Sequence, residues 1–511
     1  MSKYDFSSLQ NGSDIRGVAL PGVSGENVDL DTDAVGRLAS GFIYWLCAAL
    51  DKTPAQLTIT IGRDPRLSGQ TLAHAFAESA ASYGTRVIDC GLASTPAMFM
   101  STVFSDFSAD GAVMITASHL PFNRNGLKFF SAKGGLDKGD ITDITVFAES
   151  DYIINTLDRS TPSEIINRDI MAEYSAHLRQ LIVDGTGKEK PLTGMRIAVD
   201  AGNGSGGFYA AQVLEPLGAD VSASRYLEPD GNFPNHAPNP ENQEAMAAVT
   251  EAVLQGHCDL GLIFDTDVDR SSAVDENGRE INRNGIVAMA AALIADQYPG
   301  TTVVTDSITS NELTDYLENR LHLRHMRFRR GYRNVINKSI ELNNQGIDSQ
   351  LAIETSGHAA YRDNYFLDDG AFLATRIVIR AAILRSQGLP ISSVIAELKE
   401  PAEAVEVRLP IRSDDFSSCG EHILARVRAW ASSAAAGSDH DLALTVVEPN
   451  YEGVRVSFTG SFDGWFLLRK SLHDPIMPLN IESEKTGGCA VIRLMLKQLL
   501  EDESELDLKN L

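Results

Sequence analysis

Cysteine is scarce in this sequence: there are five in 511 residues, all far apart and none in a C-x-x-C pair. An odd number of scattered cysteines is not the framework of a disulfide-stabilised secreted protein. We therefore expect reduced, mostly buried thiols in a cytosol-like compartment. The five are Cys47, Cys90, Cys258, Cys419 and Cys489.

Basic residues are outnumbered: 44 lysines and arginines face 69 aspartates and glutamates, a formal net charge of −25. Because a nucleic-acid backbone needs a basic face, nucleic acid is not an expected partner. A small phosphorylated substrate is still compatible with this charge, since a few cations focused in one cleft can bind a phosphate on an acidic protein.

Long apolar runs are also missing. The longest, Ile286 to Ala295, is about half of a membrane span, and the first ten residues lack the apolar core of a signal peptide. We expect no membrane partner and a cytoplasmic location. A plastid stays open, because a mature sequence does not show a transit peptide that has been removed. The sequence also leaves open whether the protein is a monomer or a homodimer.

The chain does have length and an ordinary globular composition, 43% hydrophobic and 22% charged, which is enough for roughly three to four domains. Three stretches share one plan: an apolar strand, a helical segment, then a second strand that ends in a polar loop. This alternation predicts α/β units with parallel strands, and ligands bind beyond the carboxyl ends of such strands. The first strands are Leu57–Ile61, Arg196–Val199 and Thr301–Val304, the helices lie near Gln70–Tyr83, Gly207–Leu217 and Asn311–Leu321, and the second strands are Ala112–Ile115, Leu260–Phe264 and Leu351–Ile353.

A different pattern begins at Pro401, where alternating strands precede one helix, which predicts an α+β domain. We therefore predict domains at 1–160, 161–281, 282–400 and 401–511, the first three of them α/β with mixed, mainly parallel sheets. The charged tail, Glu501–Leu511, is expected to fray. The elements predicted after Pro401 are Val405–Leu409, Leu442–Val447, Val454–Phe458, Trp465–Arg469 and a helix near Val491–Leu500.

The sharpest local signal is the acidic loop Asp265-Thr-Asp267-Val-Asp269-Arg270. In an extended loop, residues two apart face the same way, so three carboxylates can converge on one cation. Magnesium takes about six oxygens, often including a phosphate oxygen. An acidic surface turn is the main alternative. An EF-hand, with Glu276 as its last ligand, is a weaker one because Arg270 stands where that loop needs glycine.

A serine follows the strand Ala112–Ile115, in the segment Thr116-Ala-Ser118-His119. A serine at such a strand end can be a nucleophile or a phosphate carrier, although most are helix caps or turn residues. Asn125-Gly126 predicts a tight turn that returns Lys128 to this loop. Lys128 is then a candidate for proton transfer or phosphate binding, and a solvated lysine is the alternative.

Three further segments carry weaker signals. The glycine-rich loop Asp200–Gly207 resembles a phosphate-binding loop, but a structural turn is favoured because the P-loop lysine is missing. Glu354-Thr-Ser356-Gly-His358 offers groups that suit sugar hydroxyls, against a purely structural histidine. Two cationic places are candidate phosphate clamps, against ordinary surface charge. These are the cluster Arg327, Arg329, Arg330 and Arg333, and the pair Arg469 and Ser471.

Together and in this order, the segments resemble those of the α-D-phosphohexomutase family, over nearly the whole chain. Asp14-Ile-Arg16-Gly is similar to its D-I-R-G segment, and Gly62-Arg-Asp64 to its G-R-D segment. Thr116 to Pro121 resembles T-A-S-H-N-P, Asn125 to Lys128 resembles N-G-x-K, and Asp265 to Arg270 resembles D-G-D-x-D-R. Glu354 to His358 resembles E-x-S-G-H, and Arg469 to Pro475 lies where the family has R-P-S-G-T-E-P.

The resemblance implies four domains around a central cleft and a mutase that moves a phosphoryl group between the C1 and C6 oxygens of a hexose phosphate. It implies Ser118 as phosphoryl carrier and glucose 1,6-bisphosphate as activator. The implied Mg²⁺ ligands are Ser118, Asp265, Asp267 and Asp269. The other implied catalytic residues are His119, Lys128, Arg270 and Arg16. The implied substrate-binding residues are Glu354, Ser356, His358, Arg333, Arg469, Ser471 and His473.

Some residues depart from the family pattern. Leu120 replaces an asparagine and Thr266 a glycine, while Leu472 and His473 replace the glycine and threonine of the distal phosphate loop. Because a nest of backbone amides usually needs glycine, phosphate affinity is in question there, and His473 is a candidate replacement donor. The T-A-S-H context favours a phosphoglucomutase or phosphomannomutase. A sugar 1,6-bisphosphate synthase and a non-catalytic sugar-phosphate regulator are the alternatives.

Overall fold

The computed structural model describes residues 5–157, 161–436, 442–471 and 474–511. The chain divides into two compact units. The first comprises Met1–Asp296 with Gln350–Ala396, and the second comprises Gln297–Ser349 with Glu397–Leu511. All five cysteines are free thiols, and three of them are buried.

The first sheet of the first unit is mixed. Its strands are β1 (Gln10–Asn11), β2 (Asp14–Val18), β3 (Thr58–Arg63), β4 (Arg86–Leu92), β5 (Gly111–Ile115), β6 (Arg124–Ser131), β7 (Gly134–Gly135) and β8 (Ile165–Asn167). Their order is β1-β2-β6-β5-β3-β4-β8, with β7 beside β6. The strands from β5 to β8 along this order are parallel, and β6 is antiparallel to both neighbours. β5 is buried at every residue, as expected of a central strand covered on both faces.

Helices cover this sheet. They are α1 (Thr32–Leu50), α2 (Gly69–Ala81), α3 (Thr95–Met100), α4 (Lys138–Glu149) and α5 (Asp151–Thr156). α1 begins where the Asp31 side chain accepts a hydrogen bond from the Ala34 amide, and its apolar face packs against α2 and α4. Phe42, Phe76 and Phe129 meet in the core between helix and sheet.

The second sheet of the first unit contains β9 (Ile197–Asp200), β10 (Leu260–Phe264), β11 (Ser271–Asp275) and β12 (Glu280–Ile281). β9 and β10 are parallel, whereas β11 and β12 continue the sheet antiparallel. Its helices are α6 (Ile170–Thr186), α7 (Gln243–Gly256) and α8 (Asn284–Ala295). α8 contains the longest apolar run of the sequence, which is explained by burial inside the protein. Within the described ranges, no helix is both long and apolar enough to cross a membrane.

The third stretch contributes to both units. In the second unit, β13 (Thr302–Thr305) pairs in parallel with β14 (Arg324–Arg327), beside α9 (Asn311–Asp315) and α10 (Tyr332–Asn344). In the first unit, β15 (Leu351–Ile353), β16 (Ala359–Tyr361) and β17 (Leu367–Asp368) are antiparallel and lead into α11 (Gly370–Ser386).

The rest of the second unit is an antiparallel sheet with two helices. The order is β18 (Glu403–Pro410), β22 (Ile476–Ser483), β21 (Gly464–Leu468), β20 (Val454–Gly460) and β19 (Leu442–Val446). The helices are α12 (Phe416–Ala436) and α13 (Gly488–Leu500), which share one apolar core with the sheet. The predicted fold class, α/β units with mixed sheets followed by an α+β domain, is confirmed.

Two expectations about local structure are wrong. Asn125-Gly126 is no turn, because both residues lie inside β6, and Lys128 returns to the Ser118 loop through antiparallel pairing with β5. The tail does not fray: Leu506 and Leu511 are buried in the core, and the Asp507 amide donates to Pro410 O. The helical segments expected near Gly207–Leu217 and Asn311–Leu321 are confirmed, and each contains a π-helical segment. Those segments are Tyr209–Leu214 and Tyr316–Arg320.

Candidate active site

Three polar loops of the first unit meet at the ends of β5, β10 and β15, as expected for the carboxyl ends of strands. Ser118 follows β5, and its hydroxyl donates to Asp265 Oδ2 at 2.9 Å. Arg270, at the end of the loop after β10, donates from Nη2 to the same hydroxyl oxygen at 3.0 Å. Ser118 and Arg270 are 152 positions apart in the sequence. The structure brings both into direct contact with each other and with Asp265.

Ser118 lies in a turn and has a left-handed backbone, with φ of +49°. Residues other than glycine rarely adopt this conformation without support. Its amide donates to Thr116 Oγ1 at 2.9 Å, and Thr116 Oγ1 donates to the buried Asp64 at 2.7 Å. Arg16 donates to Ala117 O at 2.7 Å, so it contacts the main chain just before the serine.

The acidic loop is entirely buried: Asp265, Asp267 and Asp269 are each 0% exposed, and their oxygens lie within 4.8 Å of one another. A surface turn is therefore excluded. The loop also runs directly into β11 at Ser271, which is not the geometry of an EF-hand. Among the described residues, Asp267 Oδ1 and Asp269 Oδ1 accept no hydrogen bond. Buried anionic oxygens that lack donors fit a divalent cation, whose preferred ligands are carboxylates.

Two side chains orient the acidic loop from outside it. The ammonium group of Lys128 contacts Asp269 Oδ2 and lies 3.4 Å from Asp267 Oδ2. Thr95, at the start of α3, donates its hydroxyl to Asp267 Oδ2 at 2.5 Å and its amide to Asp267 O. Although burial opposes ionisation, Lys128 and His358 hold the pKa of Asp269 well below its ordinary value.

Arg270 and His119 form the other side of the site. The guanidinium donates to His119 Nδ1 at 2.8 Å and to Asn239 Oδ1 at 3.0 Å. Burial, together with the positive charge of Arg270, lowers the pKa of His119 to about 3. His119 is therefore a neutral imidazole that accepts from Arg270 through Nδ1, and its remaining ring nitrogen is the donor.

The third loop lies against the acidic loop. His358 Nε2 is 3.5 Å from Asp269 Oδ1, its Nδ1 is 3.6 Å from Glu354 Oε2, and Ser356 Oγ is 2.9 Å from the same Nδ1. Gly357 has φ of +95°, and a Cβ there would lie 2.5 Å from Ser271 O, so this close approach needs glycine. Burial lowers the pKa of His358.

The other predicted phosphate-binding residues lie in the second unit. Arg469 follows β21 and is half-buried. Burial lowers the pKa of its guanidinium, and its Nε has no hydrogen-bond partner in the described part of the chain. Ser471 Oγ accepts from the Asp474 amide at 3.2 Å, and Arg333 lies in the first turn of α10. Leu472 and His473 lie outside the described residues.

Two contacts in the first unit escaped the sequence reasoning. One is Thr95, whose hydroxyl orients Asp267, and the other is the buried Arg66, which contacts the main chain of the Ser118 loop. Arg66 lies two residues beyond the G-R-D segment. This position is the sequence feature that could have indicated a role for Arg66. Its partners are main-chain carbonyls some fifty residues away, which no local pattern reveals.

Comparisons with known proteins agree with this geometry. Three family models match, described as phosphoglucomutase/phosphomannomutase alpha/beta/alpha domain I at residues 8–148, domain II at 172–278 and domain III at 282–401. A phosphoglucomutase of Neisseria gonorrhoeae is 27% identical over 473 residues, 92% of this chain and 94% of its own length. A phosphoglucomutase/phosphomannomutase of Thermococcus kodakarensis is 30% identical over 430 residues, 83% and 86% of the two chains.

A solved structure shares the fold. It is a phosphoglucomutase/phosphomannomutase family protein from Burkholderia thailandensis, with a TM-score of 0.74, 24% identity and 97% of each chain covered. The matched domains run from residue 8 to residue 401 and include the Ser118, acidic and Glu354 loops. The chain belongs to the phosphoglucomutase/phosphomannomutase family of α-D-phosphohexomutases, as its motifs predict.

Proposed function

We propose that this chain interconverts hexose 1-phosphate and hexose 6-phosphate through phospho-Ser118 and a hexose 1,6-bisphosphate. The observation that carries the proposal is the environment of one hydroxyl. Ser118 Oγ is buried between a carboxylate, Asp265, and a guanidinium, Arg270, at 2.9 and 3.0 Å. A hydroxyl held by an acceptor and a cation at a strand end is suited to carry a phosphoryl group.

Magnesium is the proposed metal. Asp265, Asp267 and Asp269 would hold it, with Ser118 or its phosphate as a further oxygen ligand. When bound, the ion would neutralise charge on the transferring phosphoryl group. Two of these carboxylates have an oxygen without a hydrogen-bond donor within the described ranges, so the donor set suits such an ion. The metal-dependent family agrees with a metal here, and its identity as Mg²⁺ is part of the proposal.

The residues of the chain do the positioning. In the first transfer, the bond from Ser118 Oγ to phosphorus breaks and a bond from the sugar hydroxyl oxygen to phosphorus forms. The proton of that hydroxyl passes to Lys128 Nζ, which accepts it as a neutral amine and becomes the ammonium that contacts Asp269 Oδ2. Arg270 stabilises the charge that returns to Ser118 Oγ, at 3.0 Å. After the bisphosphate reorients, the same steps run in reverse and Ser118 is phosphorylated again.

The substrate-binding roles remain proposals. Glu354, Ser356 and His358 would bind sugar hydroxyls, and Arg333, Arg469 and Ser471 the phosphate that does not react. His473 would supply the donor that the altered loop has lost. If so, His473→Ala releases more free bisphosphate per turnover and leaves phosphorylation of Ser118 unchanged. Domain boundaries at 160, 281 and 400, a cytoplasmic location and activation by glucose 1,6-bisphosphate belong to the same proposal.

The test is a coupled assay of glucose 1-phosphate, mannose 1-phosphate and glucosamine 1-phosphate, with and without glucose 1,6-bisphosphate. We expect turnover of the glucose or mannose substrate, stimulated by the bisphosphate, and loss of turnover in Ser118→Ala. The matched control is Ser108→Ala, because Ser108 is an exposed serine of the same domain with a similar left-handed backbone, φ of +43°. Full activity of Ser118→Ala would overturn the proposal. Net accumulation of the bisphosphate instead of the isomer would indicate a bisphosphate synthase.

A further inference from the structure

Arg66 is one of the largest fully buried side chains of the first unit, although arginine is rarely buried without a specific partner. Its guanidinium is paired with Asp64, with Nε 3.3 Å from Oδ2. The other nitrogens point at the loop that carries Ser118. Nη2 donates to Ser118 O and, at 2.6 Å, to Leu120 O. Nη1 donates to Pro121 O at 2.8 Å and to Arg124 O at 3.1 Å.

These four bonds converge on a loop that has no regular secondary structure of its own. Between Ser118 and Arg124 the chain runs in turns, and Ser118 itself has a left-handed backbone. Main-chain carbonyls that converge on one planar guanidinium have their directions fixed together, because the donors form a rigid fork. Asp64 extends the same network, since its second contact is the hydroxyl of Thr116, which in turn accepts from the Ser118 amide.

A second loop covers the outer side of Arg66. The ring centroid of Phe233 lies 5.5 Å from the guanidinium carbon, which is within the range of a cation–π contact. Gly231 in this loop lies against the main chain of Pro65 and Leu67, where a Cβ would collide with Pro65 O. Arg66 is therefore enclosed between the Phe233 loop and the Ser118 loop and has little freedom to move.

We propose that Arg66 is a positioning residue for phosphoryl transfer: it holds the Ser118 loop in the conformation that aims Oγ at Asp265 and Arg270. This inference rests on the proposed function, because positioning matters only if Ser118 carries the phosphoryl group. Arg66 touches no reacting atom. Its loss should lower kcat and leave the Michaelis constant for hexose phosphate nearly unchanged.

The test compares Arg66→Met and Arg66→Lys with the unsubstituted protein. A displacement of about 1 Å at a reacting atom costs roughly 100-fold in rate, so we expect kcat of Arg66→Met to fall by about that factor. Arg66→Lys should fall by roughly tenfold or more, since an ammonium group keeps the charge beside Asp64 but lacks the fork. Hydrogen exchange at the amides of Ser118, Leu120 and Arg124 should speed up in both variants.

The matched control is Arg37→Met. Arg37 also donates to main-chain carbonyls, those of Ala148 and Glu149, but far along the sequence from Ser118. It should lose stability without faster exchange at the Ser118 loop or a selective fall in kcat. If Arg66→Met does not fold, Arg66→Lys carries the same test. Unchanged kcat and unchanged loop exchange in a folded Arg66 variant, or an equal effect in Arg37→Met, would overturn the inference.

The two proposals can fail separately. If the unsubstituted protein incorporates no phosphate at Ser118 from glucose 1,6-bisphosphate, the proposed function fails. The exchange data then still decide whether Arg66 holds the loop. If Ser118 is phosphorylated equally fast in Arg66→Met and in the unsubstituted protein, only the positioning role is wrong.

Discussion

The acidic loop of the first unit and two arginines of the second unit have different kinds of partner. In the first unit, the three aspartates of the acidic loop converge, and two of their oxygens have no hydrogen-bond donor in the described ranges. In the second unit, the half-buried Arg327 and the buried Arg455 donate to main-chain carbonyls of the segment Ser307–Ser310. Arg455 also stacks on Trp465, with 3.6 Å between the guanidinium carbon and the ring centroid.

This difference distinguishes charged side chains that hold the main chain in place from charged side chains that are available to bind a ligand. A guanidinium that donates to several carbonyls fixes a loop, and its hydrogen bonds stabilise the folded state. Carboxylate oxygens that lack a hydrogen-bond donor in the described ranges, here Asp267 Oδ1 and Asp269 Oδ1, leave part of their desolvation uncompensated until a cation binds. Guanidinium groups of the first kind hold loops in place, as Arg66 does for the Ser118 loop, and carboxylates of the second kind contribute to binding and catalysis.

The largest effect is expected from the acidic loop. Asp267→Asn and Asp269→Asn should each lower kcat by about 100-fold or more, because they remove charge that faces the transferring group. They should also weaken Mg²⁺ binding measured by titration calorimetry. The control is Asp275→Asn, since Asp275 is a buried aspartate of the neighbouring strand that accepts from turn amides. Full activity of Asp267→Asn in excess chelator would contradict a metal role.

A large stability effect is expected in the second unit. Arg455→Met removes three hydrogen bonds and the stacking on Trp465. Breaking a buried charged network of this kind costs roughly 3–5 kcal/mol. Native-state hydrogen exchange of the β21 amides measures it. The exposed Arg408→Ala is the control, and its surface pair with Glu406 should contribute about 0–1 kcal/mol. An equal effect of the two substitutions would remove the structural role assigned to Arg455.

A smaller and pH-dependent effect is expected at Glu482, which accepts from Trp465 Nε1 at 2.9 Å. Burial and the charge of Glu312 raise the pKa of Glu482 to about 7 from an ordinary 4.5. Between about pH 4.5 and pH 7, Glu482 therefore keeps its proton in the folded protein, whereas the same carboxyl in the unfolded chain has released it. Its stabilising contribution is present below about pH 4.5 and is lost as pH rises to about 7, by up to about 3 kcal/mol.

The measurement for Glu482 is the free energy of unfolding of the second unit between pH 5 and pH 8. The neutral Glu482→Gln should flatten this dependence and be the more stable protein at pH 8, whereas the exposed Glu406→Gln should leave the slope as it is. A slope that survives in Glu482→Gln would assign the dependence to another group.

The sequence predicts which loops carry the reactive residues better than it predicts which residues hold those loops in place. Runs such as Leu260–Phe264 are apolar enough to be recognised as buried strands, and the polar loop that follows them is where parallel sheets bind ligands. The supports escape because their partners are distant in sequence. Arg66 looks like any charged residue until the carbonyls that it contacts are known, and Arg327, a candidate phosphate clamp in the sequence, donates to Ser310 O instead.

Two elements of the second unit show the same limit. The strand Ile476–Ser483 and the helix Phe416–Ala436 were not predicted, and the strand is central in its sheet. Pro478 interrupts the strand's pattern but is accommodated in the pairing with β18. The tail residues Leu506 and Leu511 are buried in the core of the second unit. The charged residues around them in the sequence led to the wrong prediction that the tail is frayed.

The most direct test is to determine which residue carries phosphate. The protein is incubated with glucose 1,6-bisphosphate and then examined by intact-mass and peptide mass spectrometry. We expect one phosphoryl group on Ser118, none on Ser108, and transfer of that group to added hexose monophosphate at a rate that matches turnover. Stoichiometric phosphate on another residue, or a phospho-Ser118 that does not transfer its group to hexose phosphate, would contradict it.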